Sequence, residues 1–258
     1  MGNGEKWKTA ITDIKPNKIL LRGYPIDKLM GKISYAQAVY LALKGELPDE
    51  KTGKLLDAML VSSIDHGVTP PSALATLIAA STGAPINAAI ASGVLAVNKY
   101  HGGAIEDAMK AFYEIRSRVG NGNNLEKIVE DYIVELKEKK KRIMGFGHRF
   151  HSNDPRTRKL FQLAEEAGVG KEFIEIARTI EKVLKKITGR DLPVNVDGAI
   201  AAVLCGLGFP REIGNAFFIM SRIGGLVAHY YEEKTLQKPM RKIDPFNWEY
   251  DGPGEREV

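Results

Sequence analysis

Apolar residues recur at helical spacing along nearly the whole chain, and this periodicity restricts the fold to packed helices. Ser34 stands as a cap before Ala36, Val39, Tyr40 and Leu43; Gly45 ends that run and Pro48 follows it. Leu55, Leu56, Met59 and Leu60 mark a second helix from near Asp49. Segments 72–82 and 86–99 carry Ala, Ile and Leu on most sides, so both are predicted to lie inside a core. Two amphipathic helices follow, near 104–118 and 125–140, the second capped by Asn124 and striped by Leu125, Ile128, Val129, Tyr132, Ile133 and Leu136. Asp154-Pro155 reads as a cap plus a first helical residue, opening a helix that runs to Gly168. Another spans about 171–187 and ends at Gly189, and a last long helix covers about Arg211 to Thr235. Inside that helix, Gly224-Gly225 either weakens it or permits close packing. No stretch alternates with period two, no Asn-Gly hairpin lies between apolar runs, and no repeat appears. The expected fold class is all-α. The polar segments 1–16 and beyond Gly252 are expected to be loosely held.

Composition excludes several classes of protein. A single cysteine in 258 residues rules out an internal disulfide framework and any multi-cysteine metal site. No uncharged apolar run reaches the ~20 residues of a membrane span, and no basic-then-apolar signal opens the chain. A soluble, cytoplasmic protein is expected, with no membrane partner. The net charge of +5 suits an anionic ligand. The basic run 137–142 reads as dipole complementation at a helix end. It lacks the aromatic interleaving of a nucleic-acid surface, so no nucleic acid is expected. There is no phosphate-cradling Gly-x4-Gly-Lys-Ser/Thr loop, and Gly145-Phe146-Gly147 fails as a dinucleotide fingerprint at its third glycine. His148 and His151 have no further ligand at metal spacing, so no metal is expected. Cys205 reads as a small buried hydrophobe.

The remaining polar residues sit in unusual places. His66, His101 and His148 each lie at a helix end or glycine turn, where side chains become accessible. His229 and His151 read as structural. Asp197 precedes the apolar run Ala199–Leu207; it reads either as a helix cap or as an acid whose pKa burial raises into a range useful for proton transfer. Arg156 and Arg158 flank a helix start, and Arg222 lies among apolar neighbours four residues after Phe218. All three suit clamping of an anion.

Five segments taken in order resemble the citrate synthase superfamily. They are Asp65-His66, His101-Gly102-Gly103-Ala104, Gly145-Phe146-Gly147-His148-Arg149 followed by Asp154-Pro155-Arg156, Asn195-Val196-Asp197, and Ser221-Arg222 through His229. Two departures stand out. The chain is much shorter than a full citrate synthase. It also reads Asn-Val-Asp-Gly, where synthases usually place an aromatic after the aspartate. That feature, with Asp65-His66-Gly67, Ile143-Met144-Gly145 and His229-Tyr230, is closer to the citryl-CoA-cleaving module of ATP citrate lyase, although His101 matches the synthase pattern.

The resemblance implies retro-Claisen cleavage of citryl-CoA to acetyl-CoA and oxaloacetate, the citryl-CoA lyase reaction, with citrate synthesis as the alternative. A CoA-binding subunit without catalysis is a third reading. The resemblance gives catalytic roles to His101, His148 and Asp197. It assigns the citryl carboxylates to His66, Arg149, Arg156, Arg158, Phe218 and Arg222, with Arg241 (or Lys242, one residue on) reaching the pocket of a partner subunit. Ile143, Met144, Gly145, Phe146 and Gly147 would lie against the CoA adenine, and Lys137, Arg142 and Arg190 would meet its phosphates. CoA enters as a substrate thioester, and no prosthetic group is expected. A large helical domain would hold 1–103 and 199–258, and a small one 104–198, with the ligand closed between them. A homodimer is the expected minimum, a tetramer is left open, and a separate citryl-CoA synthetase is an expected type of partner.

Overall fold

The computed structural model describes residues 6–120, 124–147, 154–242, 249, 251–252 and 254. Its helices are α1 (Ile26–Leu29), α2 (Tyr35–Lys44), α3 (Glu50–Ser62), α4 (Pro71–Ser81), α5 (Ile86–Leu95), α6 (Ala104–Arg118), α7 (Leu125–Glu138), α8 (Pro155–Glu166), α9 (Lys171–Thr188), α10 (Val196–Gly206) and α11 (Gly214–Leu236). The fold is mostly helical, as the periodicity predicts.

Local chemistry explains the boundaries. The Ser34 hydroxyl accepts from Gln37 N while the Gln37 side chain accepts from Ser34 N, a reciprocal cap for α2. Gly45 ends that helix in the left-handed region at φ 86°. Asp49, Asn124 and Asp154 cap α3, α7 and α8 with their side chains. The last long helix begins at Gly214, after a 3₁₀ turn over Arg211–Ile213, and passes unbroken through Gly224-Gly225.

Two expectations are corrected. A three-stranded antiparallel sheet, β1 (Thr12–Lys15), β2 (Lys18–Leu21) and β3 (Tyr24–Pro25), precedes the helices. It escapes the period-two test because its strands are short and bury almost nothing, so no apolar face marks them. The β2–β3 turn is Arg22-Gly23, with both residues at positive φ, in place of Asn-Gly. The sheet also ties down part of the segment expected to be loose. The second correction concerns α4 and α5, which do not lie inside the core. They turn Leu77 and a set of small residues inward (Ala73, Thr76, Ala80, Ala89, Gly93) and leave Leu74, Ile78, Ile86 and Leu95 between 45% and 76% exposed. An apolar surround in the sequence therefore marks one inward face and one open face.

The core centres on α10. Ala199, Ile200, Ala201, Ala202, Val203 and Leu204 are all buried, and the helix packs on α6, α8 and α9. Burying the whole of this helix leaves its N-terminus as the place where polar side chains meet the interior. α11 lies across α3, α4 and α5 and brings a second set of polar residues to the same region.

Candidate active site

A cavity of about 440 Å³ opens at the N-terminus of α10. Its walls include His66, His101, Arg142, Ile143, Met144, Gly145, Phe146, Arg156, Asp197, Phe218 and Arg222. The fold thus gathers most of the residues singled out in the sequence, from segments far apart in the chain.

Asp197 is not the cap of α10. Asn195 is, its side-chain oxygen accepting from Asp197 N at 3.0 Å and Gly198 N at 3.1 Å. Asp197 is the second residue of the helix. Burial pushes its pKa up to about 6, against the opposing pull of the Arg156 and Arg222 guanidinium groups and with a small upward push from Asp154. Desolvation therefore outweighs both cations.

His101 follows α5 in a tight turn closed by reciprocal backbone bonds with Asn98. Gly102 sits at φ 76° against Phe218, where a Cβ would come within 2.7 Å of the ring. The His101 Nε2 lies 2.8 Å from the Ser72 hydroxyl, and its ring meets Phe218 edge-on at 5.7 Å. Burial, and secondarily the Arg222 charge, lower its pKa, which favours the neutral imidazole.

The two arginines are held differently. Arg156 makes a two-pronged pair with Asp154, Nε to Oδ1 at 3.0 Å and Nη2 to Oδ2 at 2.8 Å, and Asp154 is itself buried. Arg222 is 4% exposed. Its Nε donates to the Ser63 carbonyl at 3.1 Å and its guanidinium lies 4.8 Å from the centre of the Phe218 ring. Its Nη1 has no hydrogen-bond partner among the described residues. A buried guanidinium that lines the cavity and is only partly hydrogen-bonded is suited to receive a carboxylate.

The loop 143–147 forms the opposite wall. Phe146 bridges to Val194, Gly147 N donates to Pro193 O at 2.7 Å, and Asn195 N donates to Gly145 O at 3.0 Å. His66 stands on the loop after α3, which α11 grips. The Ser221 hydroxyl bonds the Leu60 carbonyl, Arg222 bonds Ser63, and Gly225 packs against Ile64 and Asp65. His229, read as structural, does structural work here by bonding Asp65.

Some predicted residues lie elsewhere. Arg158 is exposed on α8, Lys137 is exposed in the last turn of α7, and Arg190 is exposed beyond α9. Gly147 supports the loop through its backbone without lining the cavity. Arg241 pairs with Glu233 of its own chain at 2.5–2.8 Å. His148, Arg149 and His151 lie outside the described residues. Sequence reasoning missed Ser63, Lys99, Tyr100 and Asn195 as wall residues, and Ser72 as the partner of His101. Asn195 sits inside a quoted motif. Nothing in the sequence marks Ser63 or Ser72, because their contacts depend on helix packing.

The helical frame and a cavity lined by buried Arg222, half-buried Arg156, two imidazoles and a carboxyl of raised pKa define a site for an anionic substrate and acid–base chemistry. The family model for the citrate synthase C-terminal domain matches residues 48–243, and the chain belongs to the citrate synthase family. It is 32% identical over 219 residues to citrate synthase of Saccharolobus solfataricus, covering 82% of this chain and 55% of that one. It is 28% identical to ATP-citrate synthase beta chain protein 2 of Arabidopsis thaliana, covering 90% of this chain and 40% of that one. The chain spans about half the length of the curated relatives it matches. The structure of citryl-CoA lyase from Hydrogenobacter thermophilus is similar over 98% of both chains, with 43% identity and a TM-score of 0.89. Among the described residues, no helix is long and apolar enough to cross a membrane.

Proposed function

We propose that the chain is a citryl-CoA lyase, cleaving citryl-CoA to acetyl-CoA and oxaloacetate. The observation that carries this reading is the end-to-end similarity to a citryl-CoA lyase, 43% identical over 98% of each chain. In the proposed mechanism His148 takes the proton of the C3 hydroxyl as the bond between that carbon and the acetyl methylene breaks. The bonding electrons move onto the thioester oxygen as an enolate. His101 donates a hydrogen bond to that oxygen; Ser72 engages Nε2, which leaves Nδ1 for the substrate. Asp197, with a pKa of about 6, delivers its proton to the methylene carbon and completes acetyl-CoA. His66, Arg156 and Arg222 hold the carboxylates, with Arg149 as a further carry-over from the family pattern. The loop 143–147 and Arg142 receive the CoA, with Lys137 and Arg190 toward its phosphates.

Closure of the 104–198 domain over the rest of the chain would exclude water from the enolate. A homodimer is proposed as the minimum assembly, supported by Leu74, Ile78, Ile86, Leu95, Val227 and Tyr231, which are exposed on three helices that pack on one another. Arg241 would complete the pocket of the partner subunit. A separate citryl-CoA synthetase is the proposed supplier of substrate, supported by the likeness to part of an ATP-citrate synthase chain. Location in the cytoplasm is proposed as well.

The alternative is citrate synthesis, favoured by the 32% identity to a citrate synthase and by His101. One assay separates the two. Purified chain is given citryl-CoA, oxaloacetate is followed with malate dehydrogenase and NADH, and free citrate and CoA are measured in the same tube. Oxaloacetate release with little free citrate supports the lyase. Free citrate outpacing oxaloacetate means thioester hydrolysis and a synthase.

A further inference from the structure

We propose that Asn195 is a positioning residue that couples the loop 143–147 to Asp197, with the Gly145–Gly198 contact as the bearing between them. One side chain performs two tasks. Its oxygen caps α10 by accepting from Asp197 N and Gly198 N, which sets Asp197 at the second helical position. Its Nδ2 donates to Gly147 O at 3.0 Å, and its backbone N donates to Gly145 O at 3.0 Å. Loop and helix start are therefore tied through a single residue.

The two glycines allow the approach that these bonds need. A Cβ on Gly198 would lie 2.3 Å from Gly145 O, and a Cβ on Gly145 would lie 2.8 Å from Gly198 Cα. Both obstructions are backbone, which cannot swing aside as a side chain can. Gly145 also sits at φ 87°, a conformation side chains resist. Any residue other than glycine at 198 pushes the loop outward, stretches the Asn195 bonds and admits water beside Asp197.

The consequence is chemical. The raised pKa of Asp197 comes mainly from its removal from water, and residues 143–146 of the loop line the same cavity as Asp197. A ligand lying on the loop 143–147 therefore acts on the acid through Asn195 without touching it.

The inference rests on the proposed lyase reading only for its kinetic readout. Two variants test it. Asn195→Ser keeps a short oxygen to cap α10 and loses the amide that reaches Gly147. Gly198→Ala drives a wedge into the contact. In each, the Asp197 carboxyl is titrated by ¹³C NMR, its signal assigned by its loss in Asp197→Asn, and melting is followed by circular dichroism. The expected result is a melted midpoint close to that of the native chain for Asn195→Ser, with the Asp197 titration midpoint lower by about half a pH unit or more in both variants. The kcat for citryl-CoA falls about tenfold with little change in KM, as loss of a positioning bond predicts. An Asp197 titration unchanged in folded Asn195→Ser overturns the proposal. Should Gly198→Ala fail to fold, Asn195→Ser decides alone. The titration needs no turnover. A chain that ignores citryl-CoA while its variants shift Asp197 therefore refutes the lyase reading and leaves the coupling standing.

Discussion

His229 Nε2 meets Asp65 Oδ1 at 2.8 Å, joining the middle of α11 to the loop that carries His66. Partial burial acts to raise the Asp65 pKa, but hydrogen bonds from Gly67 N, His229 and His66 N outweigh it and hold the carboxyl below its ordinary range. His229→Ala removes one of these donors from a half-buried carboxylate. Expected is a loss of about 1–2 kcal/mol in urea denaturation. On the proposed function, KM for citryl-CoA also rises, because the His66 loop loosens. His229→Gln, which keeps a donor, should recover most of both. A His229→Ala chain as stable as the native one would show that the pair contributes nothing.

The adjacent glycines of α11 should behave differently. A Cβ on Gly225 would lie 2.2 Å from the Ile64 carbonyl oxygen, whereas one on Gly224 meets only the Ile64 side chain at 3.2–3.3 Å. Gly225→Ala is expected to destabilise by about 1–3 kcal/mol through overpacking. Gly224→Ala is expected near neutral, the ~1 kcal/mol helix-propensity gain offsetting a small shift of Ile64. Parallel denaturant midpoints check the contrast, and equal effects would refute it.

The helical frame was legible in the sequence because its punctuation is local. Ser34, Gly45, Asn124, Asp154-Pro155 and Gly189 act within one turn of their own positions, and each stands where its residue type predicts. The wall residues His66, His101, Asp197 and Arg222 were legible because ionisable side chains beside glycine turns or apolar runs are out of place unless they serve something. What was not legible is set by packing. The capping of α10 by Asn195 and not Asp197, the Ser72 contact to His101 and the open faces of α4 and α5 all depend on which helix lies opposite. The small sheet was missed because it buries too little for its alternation to show.

Arg222 is predicted to bind substrate and also to hold its loop. Arg222→Ala loses the bond to Ser63 O, the contact with the Phe218 ring and the free Nη1 arm. KM for citryl-CoA should rise on the order of tenfold to a hundredfold, more than kcat falls, because a carboxylate clamp acts in ground and transition states alike. Arg222→Lys should restore little, since an ammonium cannot bond Ser63 and a carboxylate with the same planar fork. An unchanged KM would place the arginine outside the substrate site.

The exposed face of α4 gives a test of assembly. Ile78 is 51% exposed and Leu74 45% exposed on that face. Ile78→Asp should shift the native chain from dimer to monomer in light scattering and lower turnover at dilute protein, since a buried unpaired charge opposes association. A native chain that runs as a monomer at micromolar concentration would refute the proposed dimer.

Asp197 makes the stability of the fold depend on pH in a defined direction. Its folded-state pKa is raised to about 6 by burial, above the ~3.9 of an unfolded aspartate, so the native state binds the proton more tightly than the unfolded chain does. Its contribution is therefore full below pH ~4 and is lost as pH rises through ~6. Asp197→Asn has no proton to lose. Relative to the native chain, the variant should gain stability between pH ~4 and ~6, by on the order of 2 kcal/mol, and keep that gain at higher pH. Denaturation of both chains from pH 4 to 8 checks this, and a difference independent of pH would show that Asp197 does not titrate there. The same variant should lose most turnover while still binding citryl-CoA, because it keeps the arginine clamps and lacks the proton donor. In the native chain, kcat/KM for cleavage should fall as pH rises through ~6, the range in which free enzyme loses the protonated acid.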